Sequence, residues 1–223
     1  MADGRLVIGT QRYSSWSLRG WLPVRLAGLN VDIDVIPLAG GGKTTALKTL
    51  SPNGCVPYLE HHGAVVWDSL SVAEYCAEQD PDLWPADRCA RAVARSISAE
   101  MHSGFRAVRA ALPMNLGRDK RPPAAGFDED VLKDIARIDA LWTDARTRFG
   151  QDGAFLFGAE FGNADAMYAP IVARFLSYDV PGLSDISRQY MAAVRQHPLM
   201  QEWYDQAAQE PKDWYLDVYE SLA

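Results

Sequence analysis

The chain has 223 residues, of which 48% are hydrophobic and 23% charged, enough for one large or two small globular domains with a substantial core. The net charge is −7 and is spread along the chain: residues 1–80 carry six Lys and Arg against eight Asp and Glu, and the remainder carries sixteen against twenty-one. This even acidity argues against a nucleic-acid groove or an anionic membrane as a partner. We expect neither a signal peptide nor a membrane span. Three cysteines, an odd count without metal-ligand spacing, indicate a reducing, cytoplasmic setting and no disulfide framework. No metal site is expected.

Residues 1–80 combine strand and helix patterns. A short apolar run after Arg5 and a strict alternation after Val31 each predict a strand, and a pair of short strands is predicted on either side of the turn at His62 and Gly63. Helical spacing predicts three helices, over residues 17–28, 43–50 and 69–79. The order β-α-β-α-β-β-α predicts a four-stranded mixed sheet with helices on its faces.

Residues 80–87 contain two prolines and are predicted to be a linker, and the pattern beyond them is helical throughout. One long helix is predicted from Arg88 to about Leu112, where Pro113 stops it. Further helices are predicted over residues 128–149, 163–178, 185–196 and 198–209. Residues 88–223 are therefore expected to form an all-helical domain, with the tail from Pro211 packing back.

The most informative stretch begins Ser51-Pro-Asn-Gly-Cys-Val-Pro57 and is followed, eleven residues after Pro57, by Asp68-Ser69. Pro57 cannot donate a backbone hydrogen bond, and a cis Val56–Pro57 bond costs only roughly 0.5–1 kcal/mol. A cis bond would turn the Val56 N–H and C=O outward. Asp68 and Ser69 stand where the next helix begins, with free backbone donors nearby. The stretch therefore predicts a site for a short peptide.

These motifs resemble those of the cytosolic glutathione transferase superfamily, and the resemblance extends over nearly the whole chain. A second mark is the segment Gly162-Asn-Ala-Asp165, which is similar to the family's helix-capping box. The family usually has Ser or Thr where this chain has Gly162, so Asp165 is expected to cap the turn by reaching back to it.

The resemblance implies a thioredoxin-like domain over residues 1–80 that binds glutathione as a cosubstrate. It also implies an all-helical domain over residues 88–223 that contributes the electrophile site, and a homodimer. By the same resemblance, Val56 and Pro57 pair with the cysteinyl backbone of glutathione, and Asp68 and Ser69 hold its γ-glutamyl end. Lys43 is a candidate for the glycyl carboxylate; the alternative is a solvated loop lysine.

The chemistry implied by the family needs the thiolate of glutathione. Lowering the pKa of a thiol from about 8.5 to about 6.5 requires roughly 2.7 kcal/mol of stabilisation of the thiolate. One hydrogen bond from a hydroxyl to a charged group supplies about 1.5–3 kcal/mol. The loop Tyr13-Ser-Ser-Trp-Ser-Leu-Arg19 is similar to the zeta-class pattern Ser-Ser-Cys-Ser-Trp-Arg, which places that hydroxyl on Ser14, with Ser15 in reach. Tyr13 is the rival, because other classes use a tyrosine there. Ser17 is expected only to cap the helix. Trp16 replaces the family's cysteine, so thiol exchange is not expected.

The electrophile site is expected between the domains. Its candidate residues are Trp16, His102, Phe105, Arg106, Arg109 and Arg174. Zeta-type isomerases bind dicarboxylates with arginines there, although an arginine on an apolar helix more often pairs with a structural acid. The function so predicted is a glutathione S-transferase. The alternatives are a glutathione-dependent cis–trans isomerase of the maleylacetoacetate or maleylpyruvate type, and a non-catalytic binding module of the same fold.

Overall fold

Four strands form one mixed sheet in the order β2-β1-β3-β4. The structure, a computed structural model, describes residues 2–118, 120–150 and 153–221. The strands are β1 (Gly4–Gly9), β2 (Asp32–Ile36), β3 (Tyr58–His61) and β4 (Ala64–Trp67). β1 runs parallel to β2 and antiparallel to β3, and β3 pairs antiparallel with β4. The predicted mixed sheet is thereby confirmed.

Three helices belong to the sheet domain: α1 (Ser15–Leu26), the short α2 (Leu47–Leu50) and α3 (Ser69–Gln79). The predicted helix over 43–50 is wrong in its first half, because residues 40–46 form turns that use positive φ at Gly40, Gly41 and Gly42. α1 and α3 pack against each other, and α1 also meets the helical domain. A Cβ atom at Gly20 would lie 2.5 Å from the ring of Pro57, so the absence of a side chain lets α1 approach the segment before β3.

A 3₁₀ turn at Pro81–Leu83 connects the sheet domain to a helical domain. Its helices are α4 (Arg88–Ser103), α5 (Arg106–Ala111), α6 (Glu129–Phe149), α7 (Asn163–Tyr178), α8 (Asp185–Gln196) and α9 (Pro198–Gln209). α7 is buried over most of its length and contacts α1, α4 and α8. It begins where the Asp165 carboxylate accepts hydrogen bonds from the N–H groups of Gly162 (3.0 Å) and Leu156 (3.1 Å), which confirms the expected cap.

The single long helix predicted from Arg88 to about Leu112 is wrong. α4 ends at Ser103, where the Gly104 N–H bonds to the carbonyl of Glu100 at 2.8 Å. Phe105 then takes a left-handed conformation (φ 55°) and buries its ring before α5 begins. Burial of this aromatic side chain offsets the cost of a left-handed backbone at a residue that has a Cβ atom.

The tail folds back over the sheet domain, as predicted. It contains a 3₁₀ turn at Lys212–Trp214 and a short helix, α10 (Asp217–Glu220). The guanidinium of Arg12 lies 4.2 Å from the centre of the Tyr215 ring and bonds to the carboxylate of Glu220 at 2.9 Å. No helix in the described part of the chain has the length and apolar character needed to cross a membrane.

Candidate functional site

A cavity of about 410 Å³ lies between the sheet domain, the helical domain and the tail. Its walls come from the β1–α1 loop, the glycine-rich loop after β2, the segment before β3, α5, α7 and the tail. The lining residues are Tyr13, Ser14, Ser15, Trp16, Leu38, Gly40, Gly41, Gly42, Thr44, Leu47, Gly54, Cys55, Val56, Arg109, Pro113, Met114, Arg174, Leu216 and Tyr219. Six of the predicted site residues therefore meet in one cavity: Ser14, Ser15, Trp16, Val56, Arg109 and Arg174.

Ser14 is the N-cap of α1, with the extended backbone of that position. Its Oγ accepts from the N–H of Ser17 (3.3 Å) and lies 2.7 Å from the Ser17 Oγ. Ser17 is fully buried, and its Oγ accepts from the N–H of Gly9 at 2.8 Å. The expectation that Ser17 caps the helix is wrong: Ser14 is the cap, and Ser17 joins the cap to the end of β1.

The neighbours of Ser14 are engaged differently. The Ser15 Oγ accepts from Nη2 of Arg174 at 3.3 Å. The Tyr13 hydroxyl donates a hydrogen bond to Glu220 and accepts from the Leu216 N–H at 3.3 Å. Burial, followed by the bond to Glu220, raises the pKa of Tyr13 to about 12. Tyr13 is therefore tied to the tail.

The Val56–Pro57 bond is cis, as the sequence suggested. Val56 lines the cavity, and its N–H and C=O take part in none of the backbone hydrogen bonds of the described residues. Pro57 packs behind it against Gly20 and does not line the cavity. Lys43 is exposed between two lining residues, Gly42 and Thr44.

Asp68 and Ser69 begin α3, outside the cavity wall. Asp68 is the N-cap (φ 75°), accepts from the Leu70 N–H at 2.9 Å and pairs with Nε2 of His102 at 3.2 Å. Ser69 is buried, and its Oγ has no hydrogen-bond partner among the described residues. His102 packs edge-on against Trp16, with the ring centres 5.3 Å apart, so Asp68 is connected to the cavity through two side chains.

Two arginines lie beside the Trp16 ring, and a third, Arg174, lines the cavity. The guanidinium of Arg109 lies 4.3 Å from the centre of the Trp16 ring, and that of Arg19 lies 4.9 Å from it. Arg174 is buried and donates to the carbonyls of Leu112 (2.8 Å) and Pro170 (3.2 Å). The expectation of a structural acid beside Arg174 is wrong, because its partners are carbonyls and a hydroxyl.

Arg19 and Arg174 are buried and Arg109 is half-buried, and none of the three guanidiniums forms an ion pair with a carboxylate of the described residues, so positive charge is concentrated in this region. Burial, followed by repulsion from Arg109, lowers the pKa of Arg174 to about 10. Burial also lowers the pKa of Arg109. The pKa of Arg19 is lowered well below its usual value by burial, followed by repulsion from Arg174 and from Arg109. Sequence reasoning missed Arg19; the signal was an arginine within an otherwise apolar helical stretch.

The remaining candidates lie outside the cavity wall. Phe105 is buried at the turn between α4 and α5, Arg106 is exposed at the start of α5, and His102 stands behind Trp16. Arg109, on the same helix as Arg106, does line the cavity, and its Nη1 also donates to the His102 carbonyl at 3.1 Å.

A thioredoxin-like sheet domain, a helical domain and a cavity between them define a class of two-domain α/β proteins. Two family models match the chain: "Glutathione S-transferase, N-terminal domain" over residues 13–79, and "Glutathione S-transferase, C-terminal domain" over residues 93–206. The chain belongs to the glutathione S-transferase family, whose members use glutathione as a cosubstrate. The predicted superfamily and fold class are confirmed, and the zeta-like assignment stays a prediction.

Two curated relatives illustrate the distance within the family. The chain is 26% identical to "Glutathione S-transferase L1" of Arabidopsis thaliana over 162 residues, which cover 70% of this chain and 61% of that relative. It thus spans less than two thirds of that protein's length. It is also 26% identical over 174 residues to "Probable maleylacetoacetate isomerase" of Caenorhabditis elegans, with coverage of 77% and 79%.

Two solved structures share the fold. The theta class glutathione S-transferase of Xanthomonas axonopodis pv. citri, with glutathione bound, is 25% identical and superposes with a TM-score of 0.64, covering 95% of this chain and 99% of that one. A glutathione transferase homolog from Burkholderia gl BGR1, also with bound glutathione, has a TM-score of 0.68 at 20% identity and covers 93% and 100%.

Proposed function

We propose that this protein is a glutathione transferase in which a serine hydroxyl stabilises the thiolate of glutathione for attack on an electrophile. The observation that carries the proposal is the meeting of Ser14, Ser15 and Val56 in the wall of one cavity between the two domains. The division of labour, with glutathione on residues 1–80 and the electrophile against residues 88–223, is part of the proposal.

The surroundings of Val56 and Ser69 support the placement of glutathione. The free N–H and C=O of Val56 suit the cysteinyl backbone, as one rung of a strand pair, beside Pro57. The buried and unpaired Ser69 hydroxyl, next to the N-cap Asp68, suits the γ-glutamyl end of the peptide, since a buried hydroxyl without a partner is costly. Lys43 would approach the glycyl carboxylate from the exposed loop.

Ser14 is favoured over Ser15 by its hydrogen-bond geometry. The Ser17 hydroxyl accepts from Gly9 and lies 2.7 Å from the Ser14 Oγ, so it can donate its own proton to Ser14. The Ser14 proton is then free to point at the sulfur. The N-terminus of α1 adds a dipole that favours negative charge by about 0.3–1 kcal/mol.

The test compares Ser14→Ala with Ser15→Ala, using glutathione and the neutral electrophile chlorodinitrobenzene. Ser14→Ala should lower kcat about 100-fold at neutral pH, because roughly 2.7 kcal/mol of thiolate stabilisation is lost. The KM for glutathione should change little, and Ser15→Ala should retain most activity. Ser69→Ala, in contrast, should raise the KM for glutathione.

Ser14 also caps α1, so its loss should cost about 0.5–2 kcal/mol of stability, which thermal unfolding monitors separately. Ser14→Gly, which costs a cap only a few tenths of a kcal/mol, is the matched variant: it should be as inactive as Ser14→Ala but more stable. A large drop in kcat for Ser15→Ala instead would overturn the assignment. A chain that fails to bind glutathione at all would point to the non-catalytic alternative.

The arginines favour a second candidate function, the glutathione-dependent isomerisation of an unsaturated acid. The thiolate would add to a double-bonded carbon, the resulting single bond would rotate, and the thiolate would leave with the double bond restored. Arg109 and Arg174 lack carboxylate partners and line the cavity, so they suit a carboxylate on the electrophile. Trp16 would form the adjoining wall.

This candidate predicts a split between substrates. Arg109→Met should raise the KM for a carboxylate-bearing electrophile about 10- to 100-fold, as expected for a lost hydrogen bond to a charged group, and should leave the KM for chlorodinitrobenzene nearly unchanged. Arg106→Met, three residues earlier and exposed outside the cavity, is the matched control. Equal effects on both electrophiles would count against the isomerase.

We further propose that the protein works in the cytoplasm as a homodimer. Support for the dimer comes from β4, the edge strand, where Val65 and Trp67 are 49% and 44% exposed. An exposed apolar edge of this kind marks an interaction surface.

A further inference from the structure

The turn between β3 and β4 brings two histidine rings together. Successive residues of a strand normally point to opposite faces of a sheet. His62 leaves this pattern because it takes a left-handed conformation (φ 48°) at the turn. The ring of His61 therefore lies beside that of His62, with the centres 4.3 Å apart.

Asp3 joins the two histidines from the start of the chain. The N–H of His62 bonds to the Asp3 carbonyl at 3.0 Å, and Gly4 stands opposite His61 in the sheet register. One ligand atom from each of Asp3, His61 and His62 lies within 4.8 Å of the others. The carboxylate and the two imidazoles thus converge on one point at the end of the sheet.

Hydrogen bonds from neighbouring residues orient two of these three side chains, His61 and Asp3. Nδ1 of His61 lies 2.8 Å from the Tyr75 hydroxyl, which leaves Nε2 as its free ring nitrogen. One oxygen of Asp3, Oδ2, accepts from Asn30 at 3.1 Å, which leaves Oδ1 free. Metal-binding histidines and carboxylates characteristically have partners of this kind, because the partner fixes the ring or carboxylate orientation.

We propose that Asp3, His61 and His62 bind a divalent first-row transition-metal ion, with water completing its coordination. Two imidazoles and one carboxylate suit Zn²⁺, Co²⁺ or Ni²⁺, whereas Mg²⁺ and Ca²⁺ favour all-oxygen sites. The site is separate from the glutathione cavity, because none of the three residues lines it. A bound ion would join the start of β1 to the β3–β4 turn and so stabilise the sheet domain.

The test uses the untagged full-length chain with its two exposed cysteines replaced, Cys55→Ser and Cys89→Ser, so that thiolates cannot compete. A calorimetric titration with Zn²⁺ alone should show one ion bound per chain with micromolar affinity. Co²⁺ should give the visible absorption of a low-symmetry nitrogen–oxygen site. With Zn²⁺ at 10 to 100 times the dissociation constant, the Tm should rise by about 3–8 °C.

His62→Gln and Asp3→Asn should each weaken Zn²⁺ binding at least about tenfold, since three-ligand sites tolerate the loss of a ligand poorly. The matched controls are His197→Gln, a histidine of the helical domain, and Asp32→Asn, an exposed acid on β2; both should bind Zn²⁺ as the parent does. Circular dichroism and thermal unfolding without added metal check that each variant is folded. Binding that is absent in the parent, or unchanged in both ligand variants, would overturn the proposal, and neither result bears on the glutathione site.

Discussion

Tyr13 and Ser14 follow one another in the chain, yet their hydroxyls lie in different chemical surroundings. The phenol of Tyr13 bonds to Glu220, which also receives hydrogen bonds from Arg12 and Asn115. Burial opposes ionisation of Glu220, but the bonds from Arg12 and Tyr13 outweigh it and lower the pKa of this carboxyl. A phenol held by a carboxylate, with a pKa raised to about 12, is poorly placed to donate to a thiolate.

Tyr13→Phe should therefore leave glutathione turnover within a few-fold of the parent while it loosens the tail. Removal of a hydrogen bond to a charged group should cost about 1.5–3 kcal/mol of local stability. Limited proteolysis and hydrogen exchange over residues 211–221 would measure that loss, and steady-state kinetics would measure turnover. Glu220→Gln is the comparison from the tail side, since it weakens the same contact together with the bond of Glu220 to Arg12. A 100-fold loss of kcat in Tyr13→Phe alone would instead make Tyr13 the thiolate partner.

At the scale of the element, the start of α7 depends on one buried carboxylate. Gly162 offers no side-chain oxygen, so Asp165 alone accepts from the Gly162 and Leu156 N–H groups. Burial raises the pKa of Asp165 from 3.8 to about 6, although the backbone hydrogen bonds oppose the shift. The folded protein consequently holds a proton on Asp165 at pH values where the unfolded chain has released it.

This shift predicts a particular pH dependence. A raised folded-state pKa makes the Asp165 contribution to stability fall as pH rises from about 4 to about 6, by up to about 3 kcal/mol, and stay constant above that range. Urea unfolding at pH 4.5 and pH 7 would measure it, with Asp165→Asn as the variant that cannot titrate. The free energy of unfolding of the parent, relative to that of Asp165→Asn, should be higher at pH 4.5 than at pH 7. A difference that is equal at both pH values, or larger at pH 7, would contradict this shift.

Sequence periodicity predicted most elements because each buries one face. It failed at Gly104 and Phe105, where the apolar spacing of α4 and α5 runs on but the backbone turns. A single glycine and a buried aromatic do not identify a left-handed break in a sequence, since both also occur within helices. The same limit applies to the site: local motifs indicated Ser14 and Val56, but they gave no sign that Tyr13 would bond to Glu220, 207 residues away.

At the scale of the whole molecule, the cavity is built from three parts of the chain that are distant in sequence. The sheet domain supplies the serines and Val56, the helical domain supplies Arg109 and Arg174, and the tail closes one side with Leu216 and Tyr219. A pattern read one segment at a time predicts each wall but not how the walls meet. The arginine candidates of the helical domain could be proposed from sequence one at a time, whereas Arg19, buried behind Trp16, was missed although it lies in an otherwise apolar helical stretch.

The molecular surface also carries the last prediction, which concerns the proposed homodimer. Val65 and Trp67 project from the same face of β4, two residues apart, at the open edge of the sheet. Trp67→Glu would place a charge in the centre of this apolar surface, so it should shift the protein from dimer to monomer at micromolar concentration. Sedimentation velocity across a concentration series would measure the change. Leu132→Glu is the matched control, because Leu132 is 42% exposed on α6 and should leave the dimer intact. A parent chain that is already monomeric, or a Leu132→Glu variant that dissociates as readily, would remove β4 from the interface.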